Sequence, residues 1–150
     1  MWGVPVQQVE EFKPDLTLGC SHSSLPHISM WLGNGVLGQR RLLEEWRHLA
    51  VFYVAAVGRG TGRIRNLPVL NEPLIQYELQ DGDFSLMGEG LYRLGELLLA
   101  AGATEIYSPV EGGPSMRRLP EFSDIRLRLP HDRISVSTIH LFSSCLLYTS

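Results

Sequence analysis

Near the C-terminal end of the chain, Ile134, Val136 and Thr138 alternate with Ser135, Ser137 and Ile139. A period of two with β-branched residues on one side predicts a strand with one buried face. His140 stands where that strand stops, ahead of Ser143 and Ser144. Earlier, Lys13-Pro14-Asp15 marks a turn and Leu16 to Gly19 a short strand. Ser24, Leu25 and Pro26 open a helix, with a capping serine and a first-turn proline. It carries Ile28, Trp31 and Leu32 and stops at Gly33. Between Gln39 and Ala50, the stripe Leu42, Leu43, Trp46 and Leu49 predicts a second helix.

Val51 to Val57 is a continuous apolar run of strand length, followed by a turn dense in glycine, Gly58 to Gly62. Arg63 to Arg65 is expected to return beside that run as a β-hairpin. Leu74 to Leu79 alternates and predicts a further strand. The strongest helical pattern follows, with Asp81 or Asp83 as cap and Phe84, Met87, Leu91, Leu94 and Leu98 at helical spacing. Gly102 takes the stop position. Gly88, Gly90 and Gly95 each cost about 1 kcal/mol relative to alanine, which suits a helix held by packing close to a sheet. Glu105 to Tyr107 is a short strand, and residues 111 to 131 form a long excursion with at most one short element. Strands early, a long helix between strands and no βαβ rhythm predict an α+β fold, a mainly antiparallel sheet with helices packed on one face.

With 150 residues, the length prior is one domain with a real core. A hydrophobic share of 44% and a charged share of 19% are ordinary for a globular chain. The net charge of −3 and the scatter of both signs give no footprint for nucleic acid, since Arg40-Arg41 and Arg117-Arg118 are only pairs. The longest apolar run, Leu49 to Gly58, is too short to span a bilayer. The first residues lack a secretory pattern, which makes cytoplasmic the default location. The two cysteines, Cys20 and Cys145, read as thiols in a reducing compartment.

Several constellations invite chemistry. Gly33-Asn34-Gly35-Val36-Leu37-Gly38 spells G-x-G-x-x-G, yet a segment that reads helical precedes it, where a dinucleotide site needs a buried strand. A nicotinamide-dependent enzyme built on that loop would require a parallel strand there. Cys20, His22 and His27 lack a fourth ligand for a metal, so no metal site is expected. Ser143 and Ser144 beside His140 are a poor nucleophile–base arrangement, because neighbours on an extended chain point apart. His140 remains as a rigidly aimed imidazole at a strand end, suited to moving a proton near neutral pH.

Four passages in this order resemble the glucose–methanol–choline (GMC) family of flavin oxidoreductases: Val6 to Asp15, Ala50 to Arg65, Leu74 to Leu79 with Leu91 to Ala103, and Ser137 to Cys145. The last is similar to the family's active-site segment, in which small residues follow a histidine. The resemblance implies that residues 1–145 are part of a substrate-binding domain. Where the family continues with Met-Gly, residues 146–150 form an atypical tail. It also implies oxidation of an alcohol or sugar CH–OH group, FAD as hydride acceptor, and His140 as the acid/base. Neither the family's phosphate-binding strand–glycine loop–helix nor its second catalytic His or Asn is recognisable. The chain alone is therefore expected neither to hold FAD tightly nor to turn over. The alternative is a non-catalytic binding module with His140 as a structural residue. The particular alcohol, the electron acceptor and the oligomeric state are not legible.

Overall fold

The computed structural model describes residues 15–21, 23–31, 44–67, 72–134, 136 and 137. The fold is α+β, as expected. Among the described residues the strands form three separate two-stranded antiparallel ladders rather than one sheet. Strand β1 (Leu16–Cys20) pairs with β2 (Phe52–Ala56), with Leu16 opposite Ala56 and Leu18 opposite Val54. Leu16 and Leu18 turn inward and are buried. Helix α1 (Leu25–Trp31) begins where Ser24 and Pro26 predict, and the Ile28 N–H donates to the Ser24 carbonyl at 2.8 Å. The expected helix over Gln39–Ala50 has its described end in a single 3₁₀ turn, Trp46–His48, because Leu49 is already extended.

Strand β3 (Thr61–Asn66) pairs with β4 (Pro73–Glu78), not with β2. The expected hairpin between the Val51–Val57 run and Arg63–Arg65 is thus overturned. After β2 the Val57 N–H donates to the Asp15 carbonyl at 2.8 Å, which ties the end of β2 to β1. The glycine-dense turn then carries the chain into a different ladder.

Helix α2 (Asp81–Ala100) positions most of what surrounds it. Its N-cap is Gln80, and Asp83 acts from the third helical position, accepting the Gln80 N–H at 2.9 Å. The second Asp83 oxygen accepts the Arg59 N–H at 2.9 Å. Asp83 is only 2% exposed, so both oxygens of a buried carboxylate are satisfied by backbone donors. At the other end the Ala103 N–H donates to the Leu98 carbonyl and the Gly102 N–H to that of Leu99, the paired bonds of a Schellman stop. Gly102 has φ +97°, a conformation that a Cβ would strain.

The tightest seam of α2 is not the apolar stripe but its glycines. Of the stripe, Leu94 is buried, and so are Gly88, Gly90 and Gly95. A Cβ on Gly90 would lie 2.5 Å from a methyl of Val54 and 2.8 Å from one of Leu16. This is the close approach to strands that the glycines predict. Gly95 instead faces the ring of Phe122.

Residues 111 to 131 hold more than the single short element expected. After β5 (Ile106–Tyr107) come β6 (Ser115–Met116), a 3₁₀ turn (Leu119–Phe122) and helix α3 (Ser123–Leu127). Strands β5 and β6 pair antiparallel, and α3 and the 3₁₀ turn pack on α2. Val110, Met116, Phe122 and Leu129 join Leu16, Leu18, Ile28 and Leu94 as buried apolar residues. Of the expected final strand, Ile134 makes one antiparallel bridge to Val110, and Val136 and Ser137 lie outside any strand. Residues 138 and 139 fall outside the described residues.

Candidate functional site

In an antiparallel ladder, opposed residues share a face. One face of β3–β4 therefore carries Ile64 with Ile75, and Gly62 with Tyr77. The other carries Arg63 with Gln76, and Thr61 with Glu78. The apolar face is bare: Ile64 is 55% exposed, Ile75 58% and Tyr77 42%. It forms one wall of a cleft of about 530 Å³. Ile75, Tyr77, Glu78 and Leu79 come from β4 and its end, Phe84 from the first turn of α2, and Val136 from the C-terminal segment.

The walls are held from behind. Tyr77 lies across the glycine-dense turn, where a Cβ on Gly58 would lie 2.6 Å from the phenol oxygen and one on Gly62 3.3 Å from the ring. The Phe84 ring stacks on that of His131, with centroids 3.7 Å apart and planes 17° from parallel. Asp83 joins these supports, since its two backbone bonds tie the glycine turn at Arg59 to the start of the helix that bears Phe84.

His140 lies outside the described residues, and so do His22, Gly33 to Gly38, Ser143, Ser144 and Cys145. Of the Cys20, His22 and His27 trio, Cys20 closes β1 and His27 sits on α1, with its Nε2 3.0 Å from the Ser21 hydroxyl. Ser23 accepts the Val51 N–H at 3.0 Å nearby, so these hydroxyls knit the corner between β1 and α1. Sequence reasoning placed Ile75, Tyr77, Phe84 and Val136 in strands and a helix without bringing them together. The available signal was the shared parity of Ile75 and Tyr77, which puts both on one face. His131 in its polar loop gave no signal.

Neither a family model nor a solved structure matches the chain. Three curated proteins do. The chain is similar to an uncharacterized GMC-type oxidoreductase of Sinorhizobium fredii, 31% identical over 143 residues, which is 95% of this chain and 28% of that protein. It is also similar, 31% identical over a shorter stretch of 100 residues, to uncharacterized GMC-type oxidoreductases of two Mycobacterium tuberculosis strains, over 67% of this chain and 16% of theirs. The chain thus spans about a quarter or less of the length of these relatives. Among the described residues, no helix is long and apolar enough to cross a membrane. On a likeness that runs over nearly its whole length, the chain belongs to the GMC-type oxidoreductases.

Proposed function

We propose that this chain is part of a flavin-dependent oxidoreductase that oxidises the CH–OH group of an alcohol or sugar, with His140 as the proton acceptor. The observation that carries the reading is the cleft itself. Val136 lines it, and His140 follows four residues later in the sequence.

The chemistry asks for such a group. An alcohol hydroxyl does not ionise at neutral pH, so its proton must pass to a base within hydrogen-bond reach as hydride leaves carbon. Imidazole, with an ordinary pKa of about 6.5, is mostly neutral at pH 7 and fits that task. No side chain accepts hydride, and FAD supplies that chemistry when bound.

The described residues do not form a dinucleotide cradle. The glycine-dense turn at 58–62 runs into β3 and lies against Tyr77, and at the start of α2 beside it the Asp83 carboxylate already accepts the Arg59 and Gln80 N–H groups that a pyrophosphate would need. We therefore assign the cofactor's main hold to the length that the relatives have and this match does not cover. The chain's own part is to present the alcohol: the wall at Ile75, Tyr77 and Phe84 holds its carbon body and leaves the proton to His140.

The test is the full-length protein, purified and titrated anaerobically with a panel of primary alcohols and sugars. Stoichiometric yellow flavin that bleaches with at least one member is the expected result. A protein without flavin, or a bound flavin that no CH–OH donor reduces, contradicts the reading.

A further inference from the structure

We infer that His131 is a positioning residue for the proposed oxidation: its ring clasps Phe84 and fixes the stretch of chain that leads on to His140. This rests on the proposed function and adds a residue to it. Leu129 and His131 both rest on α2. Leu129 is buried, and a Cβ on Gly88 would lie 3.4 Å from its Cδ1. The His131 ring stacks on that of Phe84, with centroids 3.7 Å apart. Phe84 and Gly88 stand four positions apart, so they share a helix face at a rise of about 6 Å. Two residues of extended chain span about 6.6 Å. The two spacings match, and the chain from Leu129 to His131 runs back along α2 toward its start.

The same stretch is anchored a second time on the side away from α2. The Arg133 N–H donates to the Pro130 carbonyl at 3.2 Å, and the Arg133 carbonyl accepts the Glu111 N–H at 2.7 Å. Ile134 bridges to Val110. These main-chain bonds and the burial of Leu129 hold the stretch in the fold whatever ring stands at 131. What the stack adds is a direct tie to Phe84. Phe84 and Val136 line one cleft, and His140 is nine residues beyond His131 in the sequence. The planes lie 17° from parallel, so the contact is made by ring faces and not by a ring nitrogen. Another flat ring should therefore serve in its place.

The experiment uses the full-length, flavin-loaded protein with benzyl alcohol, 1-butanol and D-glucose as donors. Anaerobic flavin reduction is followed across pH with whichever of them bleaches fastest. His131→Ala should keep its flavin and its melting temperature yet reduce flavin roughly tenfold more slowly, inside the roughly 100-fold that a displacement of about 1 Å can cost. His131→Phe should restore the rate, with a pH profile of the parental shape. Reduction that is slowed by His140→Ala but not by His131→Ala overturns the inference and leaves the oxidation standing. His131→Phe as slow as His131→Ala, or a pH profile that loses a limb in both, makes the imidazole a proton carrier and also overturns it. So does a His131→Ala protein that sheds its flavin or melts early, because the stack is then a prop of the fold. A flavin that none of the three donors bleaches removes the oxidation itself, and the inference with it.

Discussion

Gly95 and Phe122 meet backbone to ring, with a Cβ on Gly95 falling 2.6 Å from Phe122 Cε1 and 2.8 Å from its Cζ. Both residues are buried, and the contact fixes how α2 sits against the 3₁₀ turn before α3. Gly95→Ala should therefore destabilise the fold even though alanine is the better helix former. Overpacking costs about 1–3 kcal/mol, against a propensity gain of about 1 kcal/mol. Gly82→Ala is the control, since nothing lies within 4 Å of its Cβ position in the first turn of α2. It should stabilise by about 0.5 kcal/mol. Urea midpoints that shift in opposite directions with unchanged slopes are expected; two shifts of the same sign contradict the packing argument.

Asp83 makes a second prediction. Asp83→Ala leaves the N–H groups of Arg59 and Gln80 without their acceptors. The loss should be about 2–3 kcal/mol, the scale of hydrogen bonds to a charged group. Asp83→Asn keeps one acceptor oxygen and should fall between the two. Because Asp83 ties the glycine turn to the helix that carries Phe84, hydrogen exchange at Arg59 should accelerate in Asp83→Ala. Protection of Arg59 that survives Asp83→Ala would argue against the tether.

A third prediction concerns pH. The Glu105 carboxyl is held below its ordinary value, first by the hydroxyl of Ser115 and then by the charge of Arg117, 3.3 Å away. A carboxylate whose folded pKa is depressed contributes stability above its unfolded value. That contribution is lost as pH falls through the folded value. Stability should thus decline as pH drops below about 4.5, the ordinary carboxyl value. Glu105→Gln should flatten that limb while leaving stability at pH 9 relative to pH 7 unaltered. The effect is small, since the Arg117 side chain is mostly exposed and the pair is screened by salt. Denaturation midpoints between pH 6 and pH 3 in low salt measure it, and identical acid limbs for both proteins would contradict it.

How legible was this fold in the chain itself? Local signals were written plainly. Pro26 in a first turn, Gly102 at a helix stop and an aspartate at the start of α2 are decided by a few neighbouring residues, and the structure honours each. Even there the cap is shifted, because Gln80 takes the N-cap and Asp83 works from inside the helix. Partner choice between strands is a long-range matter that alternation does not encode. The run over Val51–Val57 reads as the partner of Arg63–Arg65, its neighbour in sequence, yet pairs with β1. There the Val57 N–H bond to the Asp15 carbonyl closes the ladder, and the turn after it is tied by Arg59 N–H to Asp83. The glycines of α2 read as a cost along the sequence, and become its closest contacts once Val54, Leu16 and Phe122 arrive from elsewhere. The cleft was the least legible feature, since its walls come from three separate stretches. The family resemblance was readable from ordered short passages, and the relatives bear it out.

The most direct test of the proton-transfer assignment is the rate of anaerobic flavin reduction in the full-length protein carrying His140→Ala. The account predicts that flavin stays bound while the rate falls about 10²- to 10⁴-fold, the contribution of a positioned general base. A variant that bleaches its flavin as fast as the parent protein would contradict it.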